Sequence, residues 1–460
     1  MSSGAIAVLS LCVLVCAAAI LLPWVGFVGY ATCAMLAPQW VWREYLADSE
    51  LQKFISAMTV VGFVLTGCRS QTLPRGVKWA MGFYSLYVFL VVIGAQLHSN
   101  PINAQKSVVF VDITWKIWMM CMIGIMLINT ERKLAICMLC MVLVTSWNAW
   151  ELNLKYLRQG AIRVHDFYFA GLDNNLYSIS TLPVIGITLA YFFSAKLPFR
   201  QFLVVILLAM QVHQIMILES RGTMLGVLLC GALATYFMPK NPRTIAAVIA
   251  VGIVGAILAG PPVIREFSSI FSSGEQRDNS ASSRFKVWGA GAAIMLDNPV
   301  TGVGPWAGEA YVPKYIVDYK ERRNYKALHN LFFEIGTGMG VPGVASYLMF
   351  FAIPWFMHYQ LWRRHRQELS EVMMVCNLAA LAGIPGYWMA SMFSSGALIE
   401  SPYLLVACAC ASLAVSHTQL QKNAQDKLAM EEVDEMEVEE DGDLESESYS
   451  DRSEQVAVAR

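Results

Sequence analysis

Apolar residues along the chain gather into runs of roughly twenty, the length a helix needs to cross a ~30 Å hydrocarbon core. Such runs lie at 5–23, 25–42, 53–68, 77–98, 109–129, 134–150, 176–194, 200–218, 222–238, 243–262, 340–358, 372–394 and 401–416. Short polar turns separate most of them, a rhythm of membrane-crossing helices. Only Pro23 and Trp24 divide the first two, which read either as two short spans or as one broken unit. The expected fold is all-α: a polytopic integral membrane protein with twelve or thirteen transmembrane helices.

One interval breaks the rhythm. Residues 265–339 are too long for a simple connection, and loops of that length are functional or disordered. The aromatic and aliphatic content here, Phe271, Trp288, Trp306, Tyr311 and Phe333 among others, argues for a folded segment. Within it Arg284–Leu296 has the spacing of an amphipathic helix, and Asp297-Asn298-Pro299 ends it. The chain therefore divides into transmembrane helices at 1–264, a cap at 265–339 with short helices, more transmembrane helices at 340–416 and a polar tail at 417–460.

Composition agrees with the pattern. The 460 residues are 56% hydrophobic and only 15% charged, where soluble domains carry about a quarter charged residues. A large soluble α/β enzyme is excluded on this ground. The net charge of -1 hides two opposite parts: residues 431–460 hold 13 of 34 acids and 2 of 33 bases, leaving 31 bases against 21 acids in the rest. That tail has few anchoring hydrophobes and reads as disordered. The eleven cysteines all lie in apolar stretches, and the Cys137–Cys140 pair lacks a second pair or a nearby His to complete a metal set. Without a basic segment ahead of it, the first apolar run reads as a span and not as a cleaved signal.

Charge also sets orientation. The strongest basic cluster beside a span is Arg363-Arg364-His365-Arg366, which the positive-inside rule assigns to the cytoplasm. Counting spans back places Lys240/Arg243, Lys196/Arg200, Arg132/Lys133 and Arg69/Arg75/Lys78 on the same side. The long interval then faces outward, which in a bacterium means the periplasmic face of the inner membrane, and the tail is cytoplasmic.

Several polar residues stand out against this background. Arg221 sits at a tight outer turn between two apolar runs, either as a snorkelling anchor or as an anion ligand. Arg284 opens the amphipathic helix, where a cation opposes the helix dipole and a guanidinium could instead grip phosphate oxygens. His329 stands where the long interval returns to the bilayer, ahead of glycines at 336, 338, 340 and 343 that permit a broken helix. Its imidazole can take a proton from a hydroxyl near neutral pH. Asp173, Asn174 and Asn175 suit a helix cap before Leu176 as well as a binding role. Lys116 lies inside an apolar run and either faces a cavity or snorkels, and Glu334 could orient His329 or bind sugar hydroxyls. His213 reads as a hydrogen-bonded packing residue and His165-Asp166 as an ordinary surface pair.

His329-Asn330, nine residues, then Gly340-Val341-Pro342-Gly343 resembles the H[NSQ]x9GxxG pattern of the O-antigen ligase and polymerase superfamily. Glu219-Ser220-Arg221-Gly222 looks like the outer-face SRG turn of those proteins. Arg284-Phe285-Lys286-Val287-Trp288, followed by Asn298-Pro299-Val300-Thr301-Gly302-Val303-Gly304, looks like their R-x3-W…P-x2-G-x-G stretch. Asp173-Asn174-Asn175 resembles the DNN of a branch described as O-glycosylation ligases of exosortase-bearing bacteria. The resemblance runs from about residue 20 to 415.

It implies a glycosyltransferase that moves a glycan from a polyprenyl diphosphate carrier to a lipid or protein hydroxyl at the periplasmic face, with inversion. Arg221 and Arg284 would hold the diphosphate, His329 would act on the acceptor hydroxyl, and Lys116, Asp173, Asn174, Asn175, Asn330 and Glu334 would contact substrates. The donor is already activated, so the resemblance implies no cofactor and no metal. The implied partners are the lipid-linked donor, the acceptor and membrane lipid, and nothing points to nucleic acid. A repeat-unit polymerase shares this chemistry. A polysaccharide or lipid transporter is the alternative from another class, but it would be expected to show internal repeats and charges near mid-span, whereas no repeat is visible here and the notable charges cluster at one face.

Overall fold

The computed structural model describes residues 2–68, 71–98, 104–160, 172–194, 198–238, 279–316 and 327–458, with isolated positions at 242, 245, 246 and 249. Every regular element among them is a helix. The order is α1 (Ser3–Leu21), α2 (Pro23–Leu36), the one-turn α3 (Pro38–Val41) and α4 (Arg43–Leu46), α5 (Leu51–Leu65), α6 (Arg75–Leu97), α7 (Ala104–Leu127) and α8 (Glu131–Gln159). Then come α9 (Asn174–Ser194), α10 (Pro198–Ile217), α11 (Arg221–Phe237), α12 (Asn279–Asp297), α13 (Gly308–Tyr315), α14 (Leu331–His365), α15 (Glu371–Ser391) and α16 (Glu400–Val458).

Nine of these helices are long and apolar enough to cross a membrane, and α5 and α11 are shorter apolar helices. The expected division at Pro23 is real: Leu22 leaves helical geometry and Pro23 restarts it as the first residue of α2. Expected span 243–262 lies mostly outside the described residues, as does the His165-Asp166 pair. Helix α8 outruns the apolar stretch that announced it, continuing to Gln159 and closing on Gly160 at φ 75°.

Residues Met1–Ala414 form one compact unit. At its centre α9, α11 and α15 pack closely because small residues let the backbones meet. A Cβ on Gly186 would lie 2.8 Å from Gly383, and one on Gly226 would lie 2.7 Å from the Gly386 carbonyl. Helices α6, α14, α15 and α16 share a buried aromatic cluster of Tyr84, Tyr87, Tyr347, Phe350, Phe351, Tyr387 and Tyr403. Exposed Leu11, Val13, Leu14 and Leu21 on α1 leave that helix with an apolar outer surface, suited to lipid. The second unit is Val415–Arg460. Where composition reads a disordered tail, the backbone there stays helical to Val458, over a stretch without proline and rich in Glu, Met, Leu and Ala, which tolerate helix well.

The described part of the long interval, 279–316 and 327–339, forms a cap with its own core. Val287, Ala290 and Ile294 of α12 pack with Val303, Ala307, Val312, Ile316 and Leu328, and with Phe333 at the start of α14. Tyr315 donates to Asp297 at 2.7 Å and ties α13 to the end of α12. Helix α12 ends at Asp297, where the sequence places its stop, but begins at Asn279, so Arg284 stands in its second turn and not at its start.

The return helix starts at Leu331, nine residues ahead of the expected span, and it breaks at Gly340 (φ 68°, ψ -168°). The loop 299–304 fills the break. Val303 and Gly304 amides donate to the carbonyls of Thr337 and Gly338, and Val341 donates to Pro299 at 2.8 Å. A side chain on Gly340 would strike the Pro299 carbonyl at 2.5 Å in a backbone conformation that L residues avoid. The two glycine-bearing motifs are therefore the two halves of one contact. Helix α14 also runs from the cap at its first residue to Arg363, Arg364 and His365 in its last turn, so cap and basic cluster lie at its opposite ends.

Candidate functional site

Four loops and helix ends converge beside the cap. The first is the 327–330 segment, which precedes α14. Asn330 caps that helix: its Oδ1 accepts from the Phe332 and Phe333 amides at 2.9 and 3.1 Å, and its Nδ2 donates to the Met392 carbonyl at 2.9 Å. On the other side of His329, the Leu328 carbonyl accepts from the Trp288 indole at 3.0 Å. His329 between them adopts φ 46°, a left-handed conformation that is strained for a residue other than glycine.

Arg284 and Trp288 lie four residues apart on α12 and so share a face. While Trp288 binds Leu328, Arg284 comes close enough to His329 for its charge to act on the imidazole. Burial, then Arg284, hold the His329 pKa below its ordinary value, against the opposite pull of Asp173 and Glu309. Arg284 is itself half-buried, and burial followed by the nearby Arg221 lowers its own pKa. Two guanidiniums and an imidazole thus stand together. A pair of clustered cations is repulsive unless an anion joins them, and guanidinium stays charged even when partly desolvated.

Arg221 opens α11 after a turn in which Glu219 takes φ 54° and the Ser220 hydroxyl meets that of Thr223 at 2.9 Å. The following Gly222 has no room for a side chain, because a Cβ there would lie 2.7 Å from that of Phe393. Phe393 also faces Trp288, ring to ring at 6.1 Å. The Arg221 turn, the Arg284 helix and the segment after α15 therefore meet on the same two aromatic rings.

A cavity of about 180 Å³ adjoins His329, lined by Asp173, Trp306, Glu309, Glu334, Thr337, Ser394, Ser395 and Lys106. Asp173 caps α9, accepting from the Leu176 amide at 2.8 Å, and also lines the cavity. Asn174 begins α9 and its amide reaches the Leu218 carbonyl at 3.4 Å. Asn175 follows it, half-buried. Glu334 is buried and faces the cavity.

Lys116 is not among the cavity residues. It pairs with Asp112 one turn earlier on α7, at 2.5 Å, with both side chains partly exposed. That partner was readable from the four-residue spacing. His213 behaves as a packing residue, bonded to Asn153 and edge-on to Tyr156. Sequence reasoning missed Lys106, Trp306, Glu309, Thr337, Ser394 and Ser395. Lys106 forms an ion pair with Glu309 and lies 5.8 Å from the Trp306 ring, linking the start of α7 to the cap.

Residues 202–348 match the family model described as O-antigen ligase. The matched segment runs from α10 through the cap to the first part of α14 and contains Arg221, Arg284, His329, Asn330 and Glu334. It supports placement in the O-antigen ligase and polymerase superfamily, and with the apolar helices it marks a multi-pass membrane protein of glycosyltransferase type. Lys116 and Asp173–Asn175 lie outside the matched O-antigen ligase segment. No curated protein matches the chain.

Proposed function

We propose that this protein transfers a glycan from a polyprenyl diphosphate carrier to an acceptor hydroxyl at the periplasmic face of the bacterial inner membrane. The observation that carries this reading is the meeting of Arg221, Arg284 and His329 at one end of the helices, each within electrostatic reach of the next. The arginines bind the donor diphosphate through paired N–H donors and offset the negative charge that grows on it as the glycosidic bond breaks. His329 takes the acceptor proton as the acceptor oxygen bonds to the anomeric carbon. The bond from that carbon to the diphosphate breaks with its electron pair left on the carrier, the configuration inverts, and the imidazolium releases its proton to solvent. Asp173, which lines the cavity, contacts substrate together with Asn174 and Asn175, while Asn330 holds the base in place. A repeat-unit polymerase would run the same donor chemistry and differ only in its acceptor.

Reconstitution with a polyprenyl-diphosphate-linked glycan tests the proposal. His329→Ala should lower transfer about 100-fold or more, the usual size of a lost general base. Arg221→Lys and Arg284→Lys keep the charge but lose the fork, and each should lower kcat/KM for the donor roughly tenfold or more. Full transfer by the histidine variant, or unchanged donor kinetics in both lysine variants, would overturn the assignment.

A further inference from the structure

Charges of both signs gather around His329. Arg284 stands near it, with Arg221 beside Arg284, and the adjoining cavity carries the carboxylates of Asp173, Glu309 and Glu334. The Glu309 carboxylate is paired with Lys106 and that of Asp173 accepts from the Leu176 amide. Glu334 is different: it is 7% exposed and lines the cavity, and although Ser395 hydrogen-bonds its carboxylate, its Oε2 has no hydrogen-bond partner among the described residues. Nor is it spent on the helix end. A capping-box glutamate belongs three residues after the cap, and Glu334 falls four after Asn330, whose own side chain already serves the first amides. A buried carboxylate oxygen without a partner costs several kcal/mol unless a donor meets it.

We propose that this cavity is the acceptor subsite and that Glu334 makes it specific for a neutral saccharide ring, by accepting a hydrogen bond from a hydroxyl neighbouring the one that attacks. Trp306 supplies an aromatic wall for the ring, and Thr337 and Ser395 supply further hydroxyl partners. The volume of about 180 Å³ falls below the ~300 Å³ at which pockets hold drug-sized ligands, which suits one sugar unit with the rest of the acceptor outside. A serine or threonine of a protein acceptor has no second hydroxyl to offer Glu334. A phosphorylated sugar would bring negative charge into an acid-lined space. This inference rests on the reading of His329 as the base, and it selects a saccharide from the acceptors that reading allows.

Two measurements separate the claims. Saturation-transfer NMR on the full-length protein in nanodiscs needs no donor. Methyl glucoside should give a clear binding signal, and glucose 6-phosphate and N-acetylserinamide little or none. Glu334→Ala should weaken the methyl glucoside signal at least fivefold, and Glu334→Gln, which keeps one acceptor oxygen, should lie between. Absence of the signal in the wild type, equal binding of the serine derivative, or an unaffected Glu334→Ala variant would each overturn the subsite. In the transfer assay, the ratio of kcat/KM for octyl glucoside over an octanoyl-serine amide should exceed ten and fall at least tenfold in Glu334→Ala. A parallel loss on both acceptors would mark a structural role instead and overturn the specificity. Sugar binding without any donor turnover would remove the transferase reading while the subsite stands.

Discussion

His329 pays for its position with backbone strain of about 1–2 kcal/mol, the cost of left-handed geometry at a residue with a side chain. Its neighbours hold it there, Leu328 through Trp288 and Asn330 through Met392. Two effects then act on the ring in the same direction: burial and the Arg284 charge both disfavour the imidazolium. A base must be neutral to accept a proton, so activity is lost as pH falls through its pKa. Because that pKa is held below 6.5, the acid limb of kcat/KM should lie below the range of an exposed histidine. Arg284→Gln removes one of the two depressing causes and should move the limb upward, while Asp173→Asn removes an opposing charge and should move it down. A limb that stays fixed in both variants would show that His329 is not the group titrating.

At the scale of elements, the decisive device is the break in α14. The glycine spacing after His329 announces it in the sequence, and what fills it could not be read there, because loop 299–304 reaches Thr337, Gly338 and Val341 only through the tertiary fold. The same division holds for the site. Arg221, Arg284, His329 and Asn330 are legible because each sits in a local pattern: a tight turn, a helix face, a cap. Glu309, Trp306, Ser394 and Ser395 are not, since loop and short-helix residues become cavity walls only through the tertiary fold. Gly340→Ala should disrupt this junction. Its Cβ would collide with Pro299 and its φ would be strained, so thermal unfolding of the purified protein should shift down by the equivalent of about 2 kcal/mol or more. A wild-type melting curve for Gly340→Ala would mean that the junction carries little of the cap's stability.

Across the whole molecule, apolar run length announced the helical architecture, since bilayer thickness and backbone satisfaction leave a chain few other options. The orientation makes a direct prediction. Val300 in the cap and Cys68 at the end of α5 are both exposed. In intact cells a membrane-impermeant maleimide should label Val300→Cys from outside and reach Cys68 only after the membrane is opened. The reverse order would invert the protein and place its site in the cytoplasm. The double anchoring of His329 also bears on fidelity. One tether comes from Trp288 in the cap, 40 residues before its partner Leu328, and the other from Met392 after α15, 62 residues beyond Asn330. His329 is thus a composite part, in register only when both tethers are seated. On the proposed function, a half-assembled chain would meet the activated carrier without losing its glycan to water, an interlock built from two hydrogen bonds.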